Sequence, residues 1–377
     1  GTLRFPMNPK VSTSSSQCWL ICPLVADTIA AMRREMHRAA ELGADAVECR
    51  LDYLARLPDE AELRSLLTDV PLPVIATCRP VRQGGKCDTS EQRRLAVLRQ
   101  AASLGVAYVD VEIDTPIEKR PPAPLMVSTH DFHRVPEGLG ESLQSDQTGG
   151  AAVVKAAFMA GGPEDALTAL ELAYESSRPM ISLAMGEAGL PSRILARKVG
   201  AMGTFAALDS GAESAPGQPT VTELRSLYRW DALGPATKVC GVIGCPIGHS
   251  MSPAIHNAAF GAVDLDAVYV PLLIQPGMDN FRRFMDALLQ RPWLDWRGLS
   301  ITIPHKENAL AYVGRDACAE LACRIGAINT ITIAPDGALR GDNTDYIAAL
   351  DALCDAMALE RNSLANRSVA VLGAGGV

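Results

Sequence analysis

Lys155 stands among Val153, Val154, Ala156, Ala157 and Phe158. A lysine in such a strand is desolvated, which disfavours its ammonium form and frees the amine to attack a ketone as a Schiff-base nucleophile. A solitary lysine near a strand end more often carries its head out to water, so the chemical reading depends on what converges with it. His130, in Ser128-Thr129-His130-Asp131-Phe132, ends the preceding apolar run and can move protons beside Lys155. His133, one residue beyond that run, reads as an exposed loop histidine. Arg193 opens a helix after Met185-Gly186 and Pro191-Ser192, where arginine suits a carboxylate or phosphate. Three later segments carry a second set of polar groups: Gly244 to Pro253 with Ser250 and Ser252, Thr302-Ile303-Pro304-His305-Lys306, and Gly341-Asp342-Asn343-Thr344-Asp345. Plainer readings compete: Ser252 as N-cap with Pro253 at the first helical position, Lys306 as a solvated strand end, Asp345 as a cap. His249 and His305 lie inside these segments with no chemistry assigned to them.

Short β-branched runs alternate with amphipathic stretches from Cys18 onward, the mark of repeated βα units. Eight strands are expected: 18–25, 44–53, 74–79, 107–113, 125–132, 152–158, 180–185 and 204–208. Helical patterns at 26–42, 90–104, 163–176 and 191–202 separate them. Between strands four and five Pro121-Pro122 leaves too little chain for a helix. Eight units in about 215 residues fit a small (β/α)8 TIM barrel. The Gly/Pro/Ser-rich stretch 210–219, a helical stretch 221–229 and Gly234-Pro235 put a domain boundary near residue 235. A further α/β pattern follows, with strands 238–243, 267–272 and 298–303 and helices 253–260 and 278–290. Val369 to Leu372 with Gly373-Ala374-Gly375-Gly376 reads as the first strand and glycine-rich turn of a Rossmann fold. The sequence stops there, in the middle of a motif, so a fragment is expected.

Period-two alternation sorts the barrel strands into faces. Val47, Cys49 and Leu51 share the face that meets the helices. Glu48, Arg50 and Asp52 then point inward, and with them Thr77, Arg79, Asp110, Glu112, Ser128, His130, Val153, Lys155 and Ala157. A purely structural barrel interior is mostly Val, Ile and Leu. So many charged groups converging near the C-terminal strand ends describe a site.

Glu48-Cys49-Arg50-Leu51-Asp52, Ser128 to Phe132, Val154-Lys155, Met185-Gly186 to Ser192-Arg193 and Ser214-Ala215-Pro216-Gly217-Gln218 resemble, in order, the motifs of type I 3-dehydroquinate dehydratase over residues 16–228. That resemblance implies an imine between Lys155 and the substrate's C3 ketone, with His130 as general acid/base. It also implies that Glu48, Arg50, Arg79, Arg193, Ser214 and Gln218 position hydroxyls and the carboxylate. Glu48 with Arg50 as a structural ion pair, and 214–217 as a plain turn, are the alternatives. Residues 238–350 resemble the shikimate dehydrogenase substrate-binding domain, including Ile325-Gly326-Ala327-Ile328-Asn329-Thr330. Here the resemblance implies that Ser250, Ser252, Thr302, Asn329 and Asp345 hold shikimate, while Lys306 and Asp345 form the acid/base pair. Tyr346 departs from the Gly common in the single-function enzymes. Residues 367–377 resemble the start of an NADP-binding domain, with Gly373, Gly375 and Gly376 implied at the cofactor phosphates and no cofactor implied for the barrel.

The two halves together resemble the bifunctional dehydratase/dehydrogenase family, whose consecutive reactions run from 3-dehydroquinate through 3-dehydroshikimate to shikimate. A chain stopping at Val377 is then expected to dehydrate but not to reduce. Two rivals are a silent quinate-pathway regulator built on the same domains and a Schiff-base aldolase barrel. Intact Lys155, His130, Lys306 and Asp345 weigh against the first, and the 214–218 segment against the second. Composition sets the outer limits. With 48% hydrophobic and 21% charged residues the chain is globular, and a net charge of −8 without a basic run disfavours nucleic acid. No stretch is long and apolar enough to span a membrane. The 10 cysteines, without a C-x-x-C pair, read as reduced thiols rather than a disulfide frame or a metal site, and a reducing compartment follows. That compartment is the cytoplasm, or a plastid if a transit peptide has been removed.

Overall fold

The computed structural model describes residues 18–364 together with Ser368 and Ala370. The chain divides between Thr237 and Lys238 into two compact units. In the first, eight parallel strands run β1 Trp19–Leu24, β2 Ala46–Arg50, β3 Val74–Thr77, β4 Tyr108–Glu112, β5 Leu125–Asp131, β6 Ala151–Met159, β7 Met180–Met185 and β8 Gly203–Phe205. Their order is β7-β6-β5-β4-β3-β2-β1-β8. The three-residue β8 pairs with β1, and just before it the Met202 N–H donates to the Met180 carbonyl of β7 at 2.8 Å. The barrel is therefore nearly, not fully, closed.

Helices α1 Ile29–Glu41, α2 Glu60–Leu67, α3 Glu91–Ser103, α4 Leu139–Gln144, α5 Pro163–Glu175 and α6 Leu190–Ile194 fall between the strands. As Pro121-Pro122 predicts, β4 and β5 are joined through a single 3₁₀ turn, Ile117–Lys119. The helix expected over 191–202 ends at Ile194, and the chain turns at Gly200, whose φ is +74°. The stretch 221–229 winds as a π turn over Glu223–Leu227.

Alternation carries through to the interior. Ile21, Ala46, Ile75, Met126, Val153, Ile181, Leu183 and Phe205 make one apolar cluster. Two residues further along their strands come Glu48, Thr77, Ser128 and Lys155, and two further again Arg50, Arg79, His130 and Ala157. The polar site thus stands on an apolar floor, towards the C-terminal strand ends.

The second unit holds β9 Lys238–Gly244, β10 Ala267–Leu273, β11 Trp296–Ile301, β12 Thr330–Ile333 and β13 Leu339–Asp342, in the order β10-β9-β11-β12-β13. The first three are parallel, and β12 and β13 add an antiparallel hairpin that the alternating pattern does not announce. Helices α7 Ser252–Ala262, α8 Met278–Leu289, α9 Lys306–Val313, α10 Glu320–Ile325 and α11 Asp345–Met357 complete it. Of the expected strand 369–372 only Ala370 is among the described residues, and the glycine-rich turn lies outside them. No helix among the described residues is long and apolar enough to cross a membrane.

Candidate active site

At the C-terminal end of the barrel, Glu48, Arg50, Arg79, His130, Lys155, Arg193, Ser214 and Gln218 line one cavity, in the company of Gln83, Gly84, Phe132 and Phe205. Every barrel residue expected at the site is on that wall. Lys155 does not stand in the apolar surroundings its strand neighbours suggest: Nζ lies 3.2 Å from both Glu48 Oε1 and Asp110 Oδ2, and 4.1 Å from the centre of the Phe205 ring. Its flanking side chains are apolar, but the groups across the barrel are acids. Thr77 donates to Glu48 Oε1 at 2.9 Å and fixes that carboxylate from the neighbouring strand.

Arg79 organises the opposite wall. Nη1 donates to Glu112 Oε1 and to Ser128 Oγ, Nη2 pairs with Asp110 Oδ2, each at 2.7 Å, and Ser128 donates to Asp110 Oδ1 at 2.6 Å. Burial works against the Asp110 anion, yet Arg79 and Lys155 hold its carboxyl well below the usual range. Arg50 forms a two-pronged pair with Asp52 at 2.9 and 2.8 Å rather than with Glu48, so the structural pairing considered for Arg50 has Asp52 as its partner.

Burial, and then the positive charges of Arg79 and Lys155, push the His130 ring well below its ordinary pKa, which leaves it neutral at pH 7. Its Nδ1 is shielded and unpartnered, its backbone N–H donates to Gln83 Oε1 at 2.9 Å, and its ring stacks on Phe132. His133 is exposed. Arg193 is 1% exposed, donates to the Phe205 carbonyl at 3.3 Å and has an unpartnered Nε. Burial without an acidic partner pushes it down to about 10. Such a cation favours an anion arriving with the ligand. Ser214 and Gln218 bond each other within their loop, and the loop is tied to the end of β7 by Gly186 N–H donating to Pro216 O at 3.0 Å.

Gln83 and Phe132 line the cavity beyond the residues expected there, and Asp110, read as inward-facing, stands behind it against Lys155. Asp110 was detectable by its inward register; its contact with Lys155 depends on how the strands stagger, which alternation alone does not encode. Gln83 and Gly84 sit in a loop, where no period exists to read.

In the second unit the groups gather along one sheet edge. Val242, Ser300, Thr330 and Asp342 share a register row, and Thr302, Asn329 and Asp345 lie just past it. Lys306 Nζ pairs with Asp345 Oδ2 at 2.7 Å, and Asn329 Nδ2 donates to Asp345 Oδ1 at 2.8 Å and to Thr344 Oγ1 at 2.9 Å. Thr302 N–H donates to the Ile243 carbonyl at 2.9 Å, which puts it beside the end of β9. Ser252 does not cap α7: it is the first helical residue, and its N–H donates to Ser250 Oγ at 3.3 Å. The helix starts one residue earlier than the cap reading assumes, so Pro253 is its second residue. His305 is buried, with Nε2 against the Ile274 carbonyl and Nδ1 against Asn308. Gly373, Gly375 and Gly376 lie outside the described residues.

Residues 20–235 match the family model described as Type I 3-dehydroquinase, and residues 242–331 that of the shikimate dehydrogenase substrate binding domain. The chain is similar to the chloroplastic bifunctional 3-dehydroquinate dehydratase/shikimate dehydrogenase of Arabidopsis thaliana, 41% identical over 95% of this chain and 61% of that protein. It therefore spans less than two thirds of the length of that relative. The 3-dehydroquinate dehydratase of Methanopyrus kandleri is 37% identical over 55% of this chain and 97% of its own. The crystal structure of 3-dehydroquinate dehydratase from Geobacillus kaustophilus aligns with a TM-score of 0.51 at 25% identity, over 55% of this chain and 89% of that one.

Proposed function

The chain belongs to the type I 3-dehydroquinase family, joined to a partial shikimate dehydrogenase-like region, and from that premise we propose that residues 16–228 dehydrate 3-dehydroquinate through an imine on Lys155. The observation that carries this reading is the meeting in one cavity of the Lys155 amine, a neutral His130 and an unpaired, buried Arg193. Arg193 takes the substrate carboxylate, and Glu48, Arg50, Arg79, Ser214 and Gln218 orient its ring. Lys155 gives up a proton to His130, its amine adds to the ketone, and the carbinolamine oxygen takes one proton from the nitrogen and one from His130 and leaves as water, forming the iminium. His130 removes the α-proton, and the C–H electron pair enters the iminium as an enamine. The enamine expels the β-hydroxyl, which takes a proton from His130 and departs as water. Hydrolysis of the new iminium returns the amine and releases 3-dehydroshikimate.

For residues 238–350 the proposed role is to bind that product; reduction of its carbonyl to shikimate is proposed for this region only together with a complete NADP-binding domain. Ser250, Ser252, Thr302 and Asn329 hold the hydroxyls and carboxylate, and Lys306 with Asp345 manages the proton at the carbonyl oxygen. The lysine–carboxylate pair suits a reduction of this kind; NADPH would supply the hydride when bound, and Gly373, Gly375 and Gly376 would hold its phosphates. The paired activities place the chain in the shikimate pathway, with these small molecules as its partners. Following the conjugated enone formed from 3-dehydroquinate tests the barrel reading. Turnover by the chain and its loss in Lys155→Ala is expected, and equal turnover by the variant would overturn it.

A further inference from the structure

Arg94 is no part of the cavity wall. It sits in the first turn of α3, yet it is 1% exposed and fully engaged. Nε and Nη2 donate to the two oxygens of Glu91 at 2.9 and 2.6 Å, and Nη1 donates to the Cys78 carbonyl at 3.0 Å. The same Nη1 stands 2.8 Å from Glu112 Oε2, an ion pair whose angle leaves that oxygen without a hydrogen bond. From there buried charges alternate without a break: Glu112 to Arg79, Arg79 to Asp110, Asp110 to Lys155, Lys155 to Glu48. Arg94, Arg79 and Lys155 balance Glu112, Asp110 and Glu48. Arg79 Nη2 and Lys155 Nζ share one acceptor, Asp110 Oδ2.

Resting on the imine reading, we propose that Arg94 is a positioning residue for the dehydration: by holding Glu112 as an anion it keeps Arg79 divided between Glu112 and Asp110. If Glu112 becomes neutral, Asp110 is the anion left in contact with Arg79. The guanidinium, already on the oxygen that Lys155 shares, then turns wholly to that carboxylate, and the amine loses its setting. The charges facing Glu112 are Arg79 from the end of β3, Arg82 from the loop after it, Arg94 from α3 and Asp110 from β4. Burial holds the Glu112 carboxyl above its ordinary range, although Arg79, Arg94 and a backbone hydrogen bond work the other way. Removing Arg94 therefore shifts Glu112 further towards its neutral form.

The test is kcat for 3-dehydroquinate dehydration against pH in the whole chain, its Arg94→Met and Glu112→Gln variants and the double variant, each checked for folding by circular dichroism. In Arg94→Met a new ionisation is expected, with kcat about tenfold below the parent on its acid side and close to the parent on its alkaline side. Glu112→Gln, a permanently neutral Glu112, should be about tenfold slow at every pH, and the double variant should match it without the new ionisation. A folded Arg94→Met whose profile parallels the parent's overturns the proposal. So does Glu112→Gln at the parent rate, which decides the matter if Arg94→Met does not fold. An inactive parent chain would refute the imine reading instead.

Discussion

The barrel cavity and the sheet edge of the second unit each set a lysine against carboxylates, in opposite surroundings. The Lys155 side chain is 6% exposed, with Glu48 and Asp110 at 3% and 0%; Lys306 is 13% exposed and Asp345 40%. Inside the barrel each charge must be answered by the next, because a buried ion without a partner is costly. The network therefore reaches from Glu48 to Glu112 and locks side chains from several strands together. At the sheet edge water answers part of the charge, so a short cluster of Lys306, Asp345, Asn329 and Thr344 suffices. The first arrangement is braced by buried ion pairs from several strands, and the second by one partly exposed pair with its neighbours.

That contrast is sharpest at Arg79. Arg79→Met leaves buried Asp110 with Lys155 and buried Glu112 with Arg94 as their remaining cations, and chemical denaturation should show a loss of roughly 3–5 kcal/mol. A loss no greater than that of an exposed pair would erase the distinction between the sites.

His130→Ala should lower dehydratase kcat by about a hundredfold or more, while His133→Ala changes it little. The reverse ranking would mean that the exposed histidine does the work. The same residue predicts a pH effect. Its folded pKa lies below the unfolded value, so on acidification through about pH 6.5 the unfolded chain takes up a proton that the folded chain refuses. Barrel stability should then fall between pH 7 and pH 5, and His130→Phe should make that fall shallower in pH-dependent thermal melts. An unchanged slope would show that other groups set the acid limit.

Gly217 has φ +70°, and a Cβ there would lie 2.4 Å from the Gly186 carbonyl oxygen. Gly217→Ala should displace the loop that carries Ser214 and Gln218, at a cost of order 1–3 kcal/mol, and raise KM about tenfold. An unaltered KM would mean that the loop bears no substrate contact. Smallest of all, Lys306→Met should destabilise the second unit by less than about 1 kcal/mol in a thermal melt, because its partner is solvated.

Much of the barrel was legible because strand alternation is local. Glu48, Arg50, Thr77, Arg79, Asp110, Glu112, Ser128, His130 and Lys155 could be assigned inward without knowing the fold's dimensions, and the polar layers bear this out. What alternation misses is the third dimension. Asp110 meets Lys155 through the stagger of β4 against β6, and Arg94 reads as one more charged helix residue until its burial is seen. Ser252 shows a different limit: with Ser250 two residues away, a hydroxyl is available to the helix start from either position, and composition does not choose between them. The hairpin β12–β13 was hidden because its strands are four residues each.

The claim on which the rest stands is that Lys155 bonds covalently to the ketone. Borohydride added to the chain with 3-dehydroquinate, followed by peptide mass analysis, tests it directly. The account predicts irreversible loss of activity and a reduced adduct on the peptide containing Lys155, absent when substrate is omitted. An adduct on another lysine, or inactivation with no adduct, would contradict it.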